Sequence, residues 1–227
     1  MLSQRVFSNR IVAWTAAGGL ALFLFAVPAM AQNKGGDYLF LIGSGFLCDS
    51  DDSSACPAVV KSADGSSYEL SGAGTLSAQS KSVTAAGTFT RKSSNGNSLE
   101  TGIWLAMEFV SFESYGIAPG ALMRAGWVFG PASFDPRWRP MLAGPMPAGG
   151  LAVFRIRLLP MWGPSRTAVL QVNCALGKVP EEHPTEGIRL AFEGGGEFDE
   201  EISGRTLFLL ARPGASAAPK APPREGD

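Results

Sequence analysis

Alternation of apolar and polar residues with a period of two is the feature that most constrains how this chain folds. Such runs recur after residue 36, separated by short stretches rich in Gly, Ser, Asn and Pro, whereas helical periodicity is scarce. From Ala152 to Leu158, for example, the even positions are apolar and Arg155 and Arg157 lie between them. This pattern is typical of an antiparallel strand with one buried face. We therefore expect an all-β fold, most simply an antiparallel β-sandwich.

The strands are expected at 37–47, 67–77, 82–92, 99–112, 152–158, 168–176, 187–193 and 205–212. The second and third are rich in small residues, which predicts that a bulky side chain lies close over that hairpin. The third and fourth are joined through Asn95-Gly96, a strong hairpin-turn signal. Residues 37–47 and 99–112 are apolar at both parities, as expected of central strands.

Residues 116–150 are rich in Gly, Pro, Met and aromatic residues, so we expect a long irregular loop. The loop joins either two halves of one sandwich or two small β subdomains. It also holds the first choice of ligand-binding surface: Trp127, Phe129, Arg137, Trp138 and Arg139. If exposed, these side chains would stack on a sugar or hold an acidic partner, and if buried, they would cap an open end of the sandwich.

The first 31 residues have the three parts of a secretory signal peptide. Arg5 and Arg10 precede an apolar run over 11–27, and the chain then reads Pro-Ala-Met-Ala up to Ala31. The alternative is an uncleaved anchor, but the run lies at the short end of the roughly 17–25 residues that span a bilayer. We therefore expect cleavage after Ala31, a secreted or periplasmic protein, a β-rich domain over 32–212 and a disordered tail over 213–227.

Removal of this leader takes two of the 19 basic residues and none of the 20 acidic ones, which leaves a net charge of −3. The remaining chain has no basic cluster of the kind that binds phosphates, so nucleic acid is not an expected partner. It has no second apolar run long enough to cross a membrane. A glycan or an envelope protein is the expected kind of partner.

Three cysteines in an oxidising compartment predict a disulfide. Cys48 and Cys56 bracket a short polar loop, whereas Cys174 shares the apolar parity of Leu170 and Val172. We expect a Cys48–Cys56 bond and a buried, free Cys174. A pairing that involves Cys174 is the alternative.

The motifs of common hydrolases are missing from the sequence: it contains neither Gly-x-Ser-x-Gly nor Ser-x-x-Lys. The one histidine, His183, has Glu181, Glu182 and Glu186 nearby but no marked nucleophile, so an exposed turn is expected there. A single histidine also argues against a conventional His-rich metal site.

Two acidic loops remain as candidates for chemistry. Asp49, Asp51 and Asp52 lie between the paired cysteines and offer oxygen ligands that suit calcium, although a solvated turn fits them as well. Around a triple glycine lie five more carboxylates: Glu193, Glu197, Asp199, Glu200 and Glu201. Two carboxylates that face one cleft would suit a glycosidase.

Four segments, 43–48, 71–75, 100–104 and 171–177, resemble those of a group of uncharacterised exported bacterial proteins. The resemblance covers most of the chain after the leader and implies a bacterial envelope or extracellular setting, with no activity attached to it.

Together these features predict a non-enzymatic exported β-sandwich protein that acts by binding or by structural association, without a required cofactor. The alternatives are a carboxylate-dependent glycan hydrolase and a calcium-stabilised binding module.

Overall fold

A computed structural model describes residues 36–49, 52–118, 146–183 and 185–211 of the chain. Within these residues there is no α-helix, and the strands are antiparallel throughout, which confirms the all-β prediction. The strands are β1 (Asp37–Ile42), β2 (Ala58–Lys61), β3 (Ser67–Ser77), β4 (Ser82–Lys92), β5 (Ser98–Ile117), β6 (Met146–Pro160), β7 (Arg166–Cys174), β8 (Gly187–Phe192), β9 (Glu197–Phe198), β10 (Glu200–Ser203) and β11 (Thr206–Leu210). The leader 1–31 and the tail 213–227 lie outside the described residues.

All eleven strands belong to one hydrogen-bonded sheet, and part of that sheet closes on itself. The closed ring runs β1–β3–β4–β5–β6–β11 and returns to β1. On one side of β6, strands β11 and β7 lie end to end, and β1 and β2 do the same beside β3. The sheet therefore branches: one end is closed by β1 and β11, and the other is framed by β2, β7, β8 and β9.

The core lies between the facing walls of this sheet and follows the predicted parity. In β6, the side chains of Ala152, Phe154, Ile156 and Leu158 are fully buried. The same inner face continues through the even positions of β7 and β8, which extends one apolar cluster from β1 to β9. Cys174 belongs to this cluster as a buried free thiol, and Cys48 is bonded to Cys56. Both cysteine predictions are confirmed.

Small residues in the β3–β4 hairpin make room for one tryptophan, as the sequence predicted. The Trp104 side chain of β5 is fully buried and lies against Gly72 and Gly87, which are register partners. A Cβ atom on Gly72 would overlap the indole ring, and one on Gly87 would lie 2.5 Å from its Nε1 atom. The indole N–H donates to the carbonyl oxygen of Ser71 at 3.2 Å.

Strand β5 is central, between β4 and β6, as expected for residues 99–112. The two faces of β5, although both are apolar, have different surroundings. Trp104 faces the core, whereas Leu99, Ile103, Met107 and Val110 are exposed on the outer face.

The predicted strand 37–47 ends early, at Ile42. Gly43 and Gly45 follow with φ of 43° and 62°, a left-handed backbone that glycine adopts readily, and the chain turns into a 3₁₀ helix at Gly45–Asp49. Phe46 and Leu47 of this helix cover Leu41 on the outer face of β1, so β1 is buried on both faces as its pattern predicted.

The boundaries of the expected loop 116–150 also need correction. Residues 116–117 belong to β5 and residues 146–150 to β6. These two strands, which precede and follow the segment 119–145, are hydrogen-bonded to each other. Gly149 and Gly150 fit this part of β6 because other backbone passes close to them: a Cβ atom would overlap the Leu176 carbonyl oxygen at the first and would lie 2.6 Å from that of Glu113 at the second. Pro147 is tolerated near the start of β6, where its carbonyl oxygen accepts the Ala118 N–H at 2.7 Å.

Candidate functional site

A cavity of about 830 Å³ opens at the end of the sheet framed by β2, β7, β8 and β9. Its volume lies within the roughly 300–1,000 Å³ of typical ligand sites. Four segments line it: the β2–β3 turn, the end of β4, the start of β7 and the β8–β9 hairpin. The charged and aromatic side chains of the lining are Asp64, Tyr68, Arg91, Arg166, Phe192, Glu193, Glu197, Phe198 and Asp199.

Two tight turns shape the cavity mouth. In the β2–β3 turn, the Asp64 carboxylate accepts the hydroxyl of Ser62 at 2.5 Å and the backbone N–H of Ser66 at 2.8 Å. In the β8–β9 hairpin, residues 194–196 are glycines with φ of 98°, 105° and 105°. Three successive residues in this left-handed region require glycine, so the triple glycine is a structural need of the turn.

Three aromatic rings form the floor. The Tyr68 ring lies 4.8 Å from that of Phe198 and 5.3 Å from that of Phe192, centroid to centroid. Tyr68 is fully buried and Phe198 is nearly so. The three rings therefore pack against one another as one apolar surface.

The Arg166 guanidinium lies above this floor and is fully compensated. Its Cζ atom is 5.3 Å from the centroid of Phe192 and 6.0 Å from that of Tyr68. It also forms an ion pair with Glu100 of β5. The charge of Arg166 is thus balanced by a carboxylate and by two ring faces.

Two buried donors in the cavity wall are not satisfied. The Tyr68 hydroxyl and the Arg91 Nε–H are both inaccessible to solvent and have no hydrogen-bond partner of normal geometry among the described residues. Burial raises the pKa of Tyr68, against the positive charges of Arg166 and Arg91 and a weak hydrogen bond from the Arg166 guanidinium. Since arginine can only donate, the Tyr68 O–H still lacks an acceptor. An unsatisfied buried polar group is costly, so such groups in a cavity indicate a place for an acceptor from outside the chain.

Carboxylates from two separate parts of the chain line the cavity, namely Asp64 from the β2–β3 turn and Glu193, Glu197 and Asp199 from the β8–β9 hairpin and the residue that follows it. The hydrogen bond from Ser62, followed by those from Ser66, lowers the pKa of Asp64 to about 2. Asp64 is therefore ionised at any physiological pH. Of the five acids predicted around the triple glycine, Glu201 points elsewhere, because it pairs with Arg189 at 2.7 Å.

The proposed calcium loop is only partly described. Asp52 accepts a hydrogen bond from Ser54 and forms an ion pair with Arg205 at 2.9 Å, and the bond from Ser54 is the main reason that its pKa falls to about 2. Asp49 is exposed, and Asp51 lies outside the described residues. Within the described part of the chain, no three His, Cys, Asp or Glu residues are grouped to hold a metal ion. The predicted surface of Trp127, Phe129, Arg137, Trp138 and Arg139 also lies outside the described residues.

A second polar cluster surrounds the turn that contains His183. The Asn173 side chain, 6% exposed, accepts the Tyr115 hydroxyl at 3.0 Å and donates to the carbonyl oxygens of His183 and Thr185. Only the backbone of His183 takes part in these bonds, and the residue is half-buried in a turn that was expected to be exposed.

Glu186 is a partly buried acid in this cluster. Burial raises its pKa above the ordinary value of 4.5, while the hydrogen bond from the Thr206 N–H at 2.7 Å and the charge of Arg205 act against the rise. The fold therefore favours the protonated form, and the stability that Glu186 contributes is complete below pH 4.5 and is lost as the pH rises through the raised value.

Replacing Glu186 by glutamine, which keeps an acceptor for Thr206, should raise the melting temperature at pH 7 and change it little at pH 4. Thermal melts across this range, with exposed Glu197→Gln as control, measure the difference. An equal shift at both pH values would show that ionisation of Glu186 is not its cause.

Sequence reasoning missed Tyr68, Glu100, Arg91 and Arg166. A signal was present: Arg91 continues the inward parity of Phe89, and Glu100 that of Trp104, so charged residues occupy inward positions at one end of the strands. Charged residues on a core-facing parity are rare unless they are paired or functional.

Among the described residues, no helix has the length and apolar character needed to cross a membrane. Comparison of the whole chain with protein-family models, with curated proteins and with solved structures gives no match.

Proposed function

We propose that this chain is an exported binding protein that takes a glycan into the cavity at the open end of the sheet. The proposal depends most on one observation: the Tyr68 hydroxyl and the Arg91 Nε–H are buried in the cavity wall without acceptors. Sugar hydroxyls and carboxylates are dense in acceptors and would supply the missing bonds. A few fixed polar groups on an apolar floor are typical of a small-molecule site.

Trp162 supports a sugar as the ligand. It lies on the β6–β7 turn, next to the cavity-lining segment 165–167, and it is 86% exposed. A large aromatic side chain that is exposed in the free protein provides a flat surface on which a sugar ring can stack.

Export is the second part of the proposal. The predicted leader supports it, and so does the Cys48–Cys56 bond, because disulfides persist mainly in oxidising compartments. Accumulation of a form that begins at Gln32 in the periplasm or medium of an expressing bacterium, read by N-terminal sequencing, would test it. An intact precursor in the cytosol would contradict it.

A glycan array probed with the exported protein tests the binding site. Trp162→Ala should weaken binding of any positive glycan by about tenfold, which is the loss of about 1.4 kcal/mol. Met107→Ala, an exposed apolar position on the outer face of β5, is the matched control and should bind as the unmodified protein does.

Trp138→Ala separates the cavity from the central segment that the sequence favoured. Unchanged binding in Trp138→Ala, with loss in Trp162→Ala, would support the cavity. Loss in Trp138→Ala alone would move the site to the central segment, and an array without positives would end the glycan proposal.

Hydrolysis is the second candidate function, because carboxylates from two loops face the same cavity. Asp64, with its pKa of about 2, suits a base or nucleophile and cannot donate a proton at neutral pH. Mass spectrometry of array-positive oligosaccharides after incubation decides the matter. If shortened products form with the unmodified protein but not with Asp64→Asn, the function is hydrolysis and not binding alone.

A further inference from the structure

The inner face of the sheet changes character at its open end. In the β3–β4 register, Leu70 lies opposite Phe89, and one step toward the cavity Tyr68 lies opposite Arg91. The guanidinium of Arg91 therefore continues the row of core side chains and enters the cavity from its wall.

Arg91 and Arg166 both line the cavity, but their charges are balanced differently. Arg166 is paired with Glu100 and covers two aromatic rings. The described residues place no carboxylate in ion-pair contact with Arg91, and its Nε–H is buried without an acceptor. A partly buried guanidinium without a paired anion is costly in a protein, so its presence calls for a counter-charge.

The negative charges around the cavity fill that role only in part. Asp64 influences Arg91 through charge alone and is hydrogen-bonded to Ser62 and Ser66. Glu193 is paired with Arg155 at 3.1 Å, and Glu197 and Asp199 are exposed at the rim. The acids are thus hydrogen-bonded, paired or solvated, and none of them contacts the Arg91 guanidinium directly.

We propose that the ligand is an acidic glycan whose carboxylate pairs with the Arg91 guanidinium in the cavity, an inference that rests on the proposed glycan-binding function. Because the Tyr68 hydroxyl and the Arg91 Nε–H are inaccessible to solvent in the free protein, a small shift of these side chains on binding would let both donate to that carboxylate. A carboxylate accepts hydrogen bonds from several donors at once, and an arginine fork matches its planar geometry. One such group would satisfy both orphaned donors and balance the charge of Arg91.

The test uses matched pairs of oligosaccharides: galacturonate, mannuronate and glucuronate chains, and the same chains with their carboxyl groups methyl-esterified. Titration calorimetry with the exported protein should show at least tenfold tighter binding of one acid form than of its ester. That preference should fall with added salt, because it depends on charge.

Arg91→Gln should remove the preference for the acid form, whereas Arg91→Lys should keep part of it. Tyr68→Phe should weaken binding of the acid form and raise the melting temperature of the free protein by a few degrees, because it deletes a buried hydroxyl without a partner. A purely structural tyrosine would give a lower melting temperature instead.

Equal binding of acids, esters and neutral glycans would overturn this inference and leave the proposed function intact. Failure of every glycan to bind would overturn both. An acid preference that survives in Arg91→Gln would assign the carboxylate to other residues and would also refute the proposal.

Discussion

Replacement of Trp104 by alanine is expected to lower the free energy of unfolding by about 3–5 kcal/mol, the usual cost of removing a fully buried large aromatic side chain. Two effects contribute to this cost: a cavity remains between β3, β4 and β5, and the hydrogen bond to the Ser71 carbonyl oxygen is lost. Urea titration followed by circular dichroism measures it. A loss below 1 kcal/mol would show that Trp104 is not the centre of this part of the core.

The two glycines beneath Trp104 provide an internal control. In Gly72→Ala the new Cβ meets the indole first, so the penalty should shrink when Trp104 is already alanine. In Gly87→Ala the new Cβ meets the Ser71 carbonyl oxygen first, so its penalty should persist in the Trp104→Ala background. If the interaction energy with Trp104→Ala is similar for both glycine variants, the packing of Gly72 and Gly87 against the indole differs from that in the structure.

Asn173→Ala is expected to cost about 2–4 kcal/mol, because it leaves three buried or partly buried groups without their partner. These groups are the Tyr115 hydroxyl and the carbonyl oxygens of His183 and Thr185. Chemical unfolding again gives the free energy.

Two variants assign the contributions within this network. Tyr115→Phe removes one of the bonds and should cost about 1 kcal/mol. His183→Ala keeps the backbone carbonyl that Asn173 binds, so stability should hardly change. A large loss in His183→Ala would mean that the imidazole has a structural or chemical role that these contacts do not include.

The parity of apolar residues predicted most of the fold. The bounds of β3 and β4 match the sequence pattern, and β6 buries the expected side of residues 152–158. These strands alternate clearly because each has one face on a continuous core. The Asn95-Gly96 turn was equally readable, since Gly96 has φ of 83° and the left-handed backbone favours glycine.

Features that depend on tertiary position could not be predicted from the sequence. β2 is short, with four residues, and its place beside β3 follows from the branching of the sheet. The exposed outer face of β5 has the same residue types as a buried face, so Ile103 and Met107 gave no local sign of their surroundings. The start of β6 contains proline and glycines that locally favour a loop, and close backbone packing overrides that preference.

The candidate site was predicted only in part. The acids around the triple glycine were identified from their clustering, and Glu193, Glu197 and Asp199 do line the cavity. Their partner Asp64 was missed because it comes from a turn about 130 residues earlier in the chain. Arg91 and Arg166 were missed because a charged residue at a strand end is usually solvated, so the inward parity that both share with buried neighbours was not given weight.

The pairing of the first strand with the last has a kinetic consequence. Strand β11 lies between β1 and β6, so the ring cannot close until residues Thr206–Leu210 have been synthesised and have paired with both strands. Joining ends so distant in the chain carries a large loop-closure entropy, and topologies of this kind fold slowly. A chain cut short before Thr206 would present two bare sheet edges, which makes truncated forms prone to aggregate.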